Sequence, residues 1–277
     1  MTDYATRRRA ANAARFVLLA AALVVFLFPF YWILRTSILP TQTIYESISP
    51  IPTDFTLAHY QAAIDNGFLN AIVNSLIAGV GTTLLTTVVA LFGAYSILRY
   101  TYPARQKVAK MVLLTYMFPH VALIVPMYRL AADLGMLGNP VTLVIVHTML
   151  ALPFCMWILQ SFLSDIPREL EEAALVEGDA VRRVRPYHRP AGNAGYHRRR
   201  YVRLHHVVGE YMFAYVLLTT ESSQTVPVAL QQLLGSYAID WGLLAAACVL
   251  STLPVLALFW LMAKYLGEGI AKGAGVV

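Results

Sequence analysis

Residues 141–163 read VTLVIVHTMLALPFCMWILQSFL, an apolar run without a single Asp, Glu, Lys or Arg. A hydrocarbon core about 30 Å thick needs about 20 apolar residues wound as a helix, so this run is long enough to cross one. Runs of the same kind stand at about 14–34, 70–98, 108–128 and 241–263, and a shorter one covers Tyr211–Leu218. Between them lie breaker clusters such as Ser49-Pro50-Ile51-Pro52-Thr53-Asp54 and Gly135-Met136-Leu137-Gly138-Asn139-Pro140, which mark where helices stop. Whole-chain composition agrees. Of 277 residues, 58% are hydrophobic and 13% charged, about half the charge of an ordinary soluble domain. Lipid is the main solvent of such a chain.

The basic residues set its orientation. Nineteen of the 21 Lys and Arg fall in the N-terminus (Arg7, Arg8, Arg9, Arg15), the stretch 99–110, the segment 164–206 and the C-terminus; Arg35 and Arg129 are the exceptions. With six spans, these basic connections share one face, and the positive-inside rule puts both termini and the 164–206 loop in the cytoplasm. The net charge of +6 would point to nucleic acid in a soluble protein. Here the placement of the charges points instead to the lipid bilayer, and no nucleic-acid partner is expected.

The first apolar run follows four arginines as a secretory leader would. It is too long for one, and no small-residue cleavage pattern follows Phe28-Pro29-Phe30-Tyr31-Trp32, so it reads as a retained anchor. Cys155 and Cys248 lie inside apolar runs and read as small buried hydrophobes rather than a redox pair or metal ligands. No glycine-rich loop ending in Lys-Ser or Lys-Thr is present, so any ATP chemistry must come from another chain. There is no internal repeat. The expectation is a single membrane domain over 1–277, not an enzyme, with no catalytic residues, no cofactor and no metal.

After the run at 141–163 comes Asp165-Ile166-Pro167-Arg168-Glu169-Leu170-Glu171-Glu172-Ala173-Ala174-Leu175-Val176-Glu177-Gly178. Asp165 followed by Pro167 is a helix-start signal. Leu170, Ala173 and Ala174 fall at i, i+3 and i+4 and share a face. Two alanines let another protein approach closely, the carboxylates rim the contact, and Gly178 suits a left-handed helix end. Spacing alone fits an ordinary amphipathic loop helix as well as a docking knob.

The stretch resembles the cytoplasmic loop motif of permeases in binding-protein-dependent ABC importers: Glu-Ala-Ala, two residues, an acid, then Gly. Here these are Glu172, Ala173, Ala174, Glu177 and Gly178, with Glu where Asp is commoner. The chain is similar to the carbohydrate-type (maltose- and glycerol-phosphate-like) permeases at several further places. These are Asn74-Ser75-Leu76, Pro119 and Pro126, Gly135-Met136-Leu137, Leu152-Pro153-Phe154, Val226-Pro227-Val228-Ala229-Leu230-Gln231, Asp240-Trp241-Gly242 and Ser251-Thr252-Leu253-Pro254-Val255. The likeness covers roughly 1–178 and 209–277. It implies an all-α permease of the bacterial inner (plasma) membrane whose loop, 164–192, docks through Leu170, Glu172, Ala173, Ala174, Glu177 and Gly178 into a cytoplasmic ATP-binding subunit. It further implies a second, different permease subunit, an extracytoplasmic solute-binding protein, and a sugar or sugar-like solute as cargo.

Residues 179–208 break the pattern, because the family continues with a second short helix and a fifth span. From Arg182 to His206 this chain carries eight arginines and four histidines. Arg198, Arg199, Arg200 and Arg203 would together cost on the order of 10 kcal/mol at membrane depth. The apolar remainder, Tyr211–Leu218, makes only about 12 Å of helix. The fifth span, about 200–219, is therefore disrupted. The tract admits three readings: a metal site, for which the histidine spacing gives no compact ligand pattern; a basic surface for anionic lipid or nucleic acid; and a reading-frame shift between about Gly178 and Gly209, which leaves a nonfunctional product. Read one nucleotide later, the codons of Tyr187–Gly195 admit Ile-Ile-Ala-Arg-Leu-Ala-Thr-Pro-Gly, which is similar to the family's continuation.

Glu210 opens the surviving fragment and is either a pathway residue or an interfacial carboxylate. His120 and His147 lie within spans and read as packing residues rather than proton relays. Pro29, Pro119, Pro126, Pro153 and Pro254 sit in or beside spans, where they kink helices or free carbonyls for a path. Tyr31, Trp32, Tyr100, Tyr102, Trp241 and Trp260 suit an interfacial belt. A proton-coupled secondary transporter would need inverted repeats and buried acids in several spans; the sequence offers neither.

Overall fold

The computed structural model describes residues 2–46, 49–52, 54–164, 211–235 and 238–273. Its elements are helices: α1 (Thr2–Ser37), α2 (Thr41–Glu46), α3 (Ala58–Asp65), α4 (Phe68–Arg99), α5 (Arg105–Tyr116), α6 (Ile124–Asp133), α7 (Pro140–Ser164), α8 (Met212–Leu217), α9 (Val226–Leu234) and α10 (Trp241–Gly273). Short 3-10 turns stand at His120–Leu123 and Glu221–Ser223. Four helical stretches are long and apolar enough to cross a membrane: Asn12–Ser37, Phe68–Arg99, Pro140–Ser164 and Trp241–Leu261. A fifth candidate is the pair α5 and His120–Asp133.

That pair covers the run expected over 108–128, where Pro119 and Pro126 were expected to kink the helix, and the bend is larger than a kink. Its halves meet at 94°. Pro119 is the cause. Its ring holds φ at −60° with an extended ψ of 116°, it offers no N–H to continue the helix, and a proline disfavours the α region for the residue before it. Pro126 does no such damage, because it sits in the first turn of α6, where its missing N–H has no intrahelical partner to lose.

The chain divides into two compact units. The first comprises Met1–Asn66 and Gln232–Thr252. Its α1 presents Phe16, Leu19, Val25, Phe26 and most of their neighbours as exposed side chains, which is stable only where lipid or another protein replaces water. The end of α1 is tied down locally. Ser37 Oγ donates to Leu34 O and lies 2.7 Å from the Tyr60 hydroxyl, the Tyr31 hydroxyl donates to Pro50 O, and the Arg35 guanidinium sits 4.7 Å over the Trp32 ring.

The second unit comprises Gly67–Gln231 and Leu253–Val277. Its frame is the pairing of α4 with α7. In lipid, helices gain nothing hydrophobic by meeting, so close packing of small residues and interhelical hydrogen bonds must hold them. Ala78, Ala90, Ala94, Thr82, Thr83 and Thr86 of α4 are all buried. Gly81 admits the Val144 side chain and Gly93 the Met156 thioether, each within 3 Å of where a Cβ would stand. Thr82 Oγ1 donates to Val144 O at 3.5 Å and Thr86 Oγ1 to Thr148 Oγ1 at 3.3 Å. Cys155 is buried here beside Ala90 and Met156.

The fragment left from the disrupted span is not cast out. Phe213, Ala214, Leu217 and Leu218 are buried in the main core with Ala78, Ala131, Leu143, Val146 and Val228. The six residues of α8 make about 9 Å of helix, too short to cross a bilayer.

Candidate functional site

The residues expected to carry coupling, Leu170, Glu172, Ala173, Ala174, Glu177 and Gly178, lie outside the described residues, as do Glu210 and the Arg/His tract. The structure does place both anchors of that loop. Ser164 ends α7 and Tyr211 precedes α8, and both helices belong to the second unit. Leu143 and Val146 of α7 share one core with Phe213 and Leu217 of α8, and His147 packs edge-on to Phe213 at 6.3 Å. His147 is thus a buried packing residue, as its sequence setting suggested.

At the far end of this unit, Asn74 and Ser75 acquire a role. Asn74 Nδ2 donates to Ser222 O at 2.8 Å and to Gln224 O at 3.0 Å. Buried Ser75 accepts from Val226 N–H at 2.9 Å. One turn of α4 therefore grips the strap that leads from α8 into α9. The α6–α7 connection joins the same assembly: Gly138 N–H donates to Leu217 O at 2.8 Å, and Thr142 Oγ1 caps the turn by donating to Met136 O. The α9 helix is nine residues long, about 13 Å, too short to cross a bilayer.

The broken span brings further side chains together. Tyr116, the last residue of α5, stacks on Phe154 of α7 at 5.5 Å and meets His120 edge-on at 6.0 Å. Met117, Phe118 and Val121 of the break are exposed. Backbone off the helical path at membrane depth is tolerated only where protein or a water-filled cavity covers it.

In the first unit, Asp240-Trp241-Gly242 resolves into separate jobs. Asp240 Oδ1 accepts from Leu243 N–H at 2.9 Å and so caps α10. Gly242 faces buried His59, whose Nε2 donates to Leu39 O at 3.0 Å while Nδ1 lies 3.7 Å from Asp240 Oδ1. Sequence reasoning missed His59. The available signal was a histidine in an otherwise apolar helical period, with Ala63 one turn on, since both are buried.

The second unit thus offers two paired spans, a bent one and a clamped strap. No protein-family model matches the chain. A Streptomyces antibioticus protein described as an ABC transporter permease protein, ORF1, is 32% identical over 81% of this chain and 99% of its own length. The diacetylchitobiose uptake system permease protein DasC of Streptomyces coelicolor is 29% identical over 91% of this chain and 94% of its own. Among solved structures, that of a bacterial ABC transporter involved in the import of the acidic polysaccharide alginate aligns with a TM-score of 0.78, covering 93% of this chain and 96% of the other, at 20% identity.

Proposed function

The chain belongs to the family of ABC transporter permease proteins, and from that premise we propose that it is a membrane half of an importer for a sugar or sugar-like solute. It is a multi-pass inner-membrane protein, with helical spans in place of the closed barrels of outer membranes. The proposal includes six spans within one permease domain over 1–277, both termini cytoplasmic, and a cytoplasmic loop over 164–192. The cargo class rests on the sugar-uptake relatives and on the motifs shared with carbohydrate-type permeases.

In this reading a solute-binding protein delivers cargo from outside, a second and different permease completes the path, and a cytoplasmic ATP-binding subunit supplies the energy. No hydrolysis is assigned to this chain. Residues 165–178 form the handle: Ala173 and Ala174 seat in a cleft of the ATP-binding subunit, Glu172 and Glu177 rim the contact, and Gly178 turns the chain away. The observation that carries the mechanism is that α7 and α8, which flank the handle, are packed into one core and hydrogen-bonded onward to the strap held by Asn74 and Ser75. A displacement of the loop then reaches the opposite membrane face through packed elements, which move as bodies rather than deform. The break at Met117–Leu123 lines the solute path, and Glu210 belongs to the same path.

Cysteine cross-linking tests the handle. Ala173→Cys in the assembled complex is expected to form a disulfide with a cysteine placed in the cleft of the ATP-binding subunit. If instead Ala173→Cys and Ala174→Cys are both freely labelled in the complex, the assignment of the loop is wrong.

The same reading accounts for residues 179–208 by a shifted reading frame. A short α8 with every inward side chain buried is what the outer end of a fifth span looks like, and an uncharged continuation would complete it.

A further inference from the structure

Between α5 and α7 runs a half-open groove of about 190 Å³, more room than the ~150 Å³ apolar cavity that takes up benzene in an engineered protein. Its lining is graded. Lys110, midway along α5 (Arg105–Tyr116), and Gln160, one turn before Ser164 ends α7, form one end of it with Ala109. Deeper in, Val112, Leu113, Pro153 and Met156 make it apolar, and the Tyr116–Phe154 stack stands beyond them. Trp157 forms an exposed edge. Lys107 lies one turn before Lys110 and is also exposed, and the sequence holds no Asp or Glu from 99 to 132.

A cation and an amide at one end, an indole at the edge and an apolar trough behind them match the order of groups in a phospholipid: phosphate, ester, acyl chain. We infer that this groove holds an acyl chain of an anionic phospholipid of the cytoplasmic leaflet, phosphatidylglycerol in kind, with its phosphate on Lys110. The inference rests on the orientation proposed above, which turns the basic stretch 99–110 to the cytoplasm. A zwitterionic lipid carries its own cation towards Lys110 and is disfavoured. The site adjoins the helix end from which the loop departs, so the lipid braces α5 against α7 where the pull arrives.

The test uses the full chain expressed with its partner subunits and reconstituted in nanodiscs, with phosphatidylglycerol or phosphatidylcholine bearing a photoreactive acyl chain. Phosphatidylglycerol is expected to label Val112–Leu113 and residues 153–157. Lys110→Glu is expected to lower the yield roughly five-fold or more, the scale of one charge near an anionic surface. Leu113→Trp, which fills the trough with Lys110 intact, lowers it too, while Lys272→Ala and excess inorganic phosphate leave it unchanged. Equal labelling by both lipids, yields unaffected by Lys110→Glu and Leu113→Trp, competition by inorganic phosphate, or protein cross-links in place of lipid adducts would each overturn the inference. Subunit assembly is scored in the same samples. Assembly without lipid adducts removes the lipid site alone, whereas absence of assembly removes the permease reading on which it stands.

Discussion

The His59 ring occupies the space in which a side chain on residue 242 would begin: a Cβ built on Gly242 overlaps the imidazole. The ring is buried, and moving it aside would cost the hydrogen bond from Nε2 to Leu39 O. Gly242→Ala is therefore expected to destabilise the first unit by about 1–3 kcal/mol, the usual cost of overpacking. Adding His59→Ala should return part of that loss, as contacting pairs do in double-mutant cycles. Denaturation midpoints of the purified single and double variants check this, and strictly additive losses would contradict it.

Asn74→Ala removes the donor shared by the Ser222 and Gln224 carbonyls. Leaving such groups without partners costs about 1–3 kcal/mol. The loss should be local, with faster amide exchange over 221–226 and unchanged exchange in the middle of α4 and α7. Ser75→Ala should expose the Val226 amide in the same way, because that N–H donates to the lost hydroxyl.

Gly93→Leu drives a side chain into Met156, which already lies against the Gly93 backbone. The variant should assemble poorly, and Met156→Ala should rescue it by vacating the volume. A stability equal to the parent for Gly93→Leu alone would mean that α4 and α7 are not packed as found.

Resequencing the gene over codons 179–208 tests the frame. The account expects an inserted or deleted nucleotide whose correction yields an apolar stretch ahead of Glu210. Native codons that match this sequence, with normal uptake by the encoded protein, would contradict it.

The spans at Phe68–Arg99 and Pro140–Ser164 were legible because lipid demands long uncharged runs, and little else in a sequence looks like them. For the third span the sequence showed that prolines would bend the helix, but not by how much. Pro119 was visible, but whether a proline kinks a helix or turns it through a right angle depends on what packs against each half. Here Leu123, Ile124 and Met127 find the core only after the turn. Asn74-Ser75 was recognisable as a pattern, yet its partners lie about 150 positions away at Ser222, Gln224 and Val226, and no local rule reaches that far. For His59 the helical period could have signalled burial, but its partners could not be read, since Leu39, Asp240 and Gly242 come from other segments. Fragment 211–218 was judged by length alone, which says whether a helix can cross but not whether it is buried.

In the proposed mechanism, residues 165–178 carry motion from an ATP-binding subunit into α7 and α8. ATP-dependent solute uptake by vesicles containing the frame-restored chain and its partners, with and without Glu172→Ala and Gly178→Ala, measures that most directly. The account predicts that both substitutions lower uptake and weaken retention of the ATP-binding subunit roughly ten-fold, within the 1–3 kcal/mol range of site-to-site coupling, while the chain stays in the membrane. Uptake and retention equal to the unsubstituted complex in both variants would contradict it.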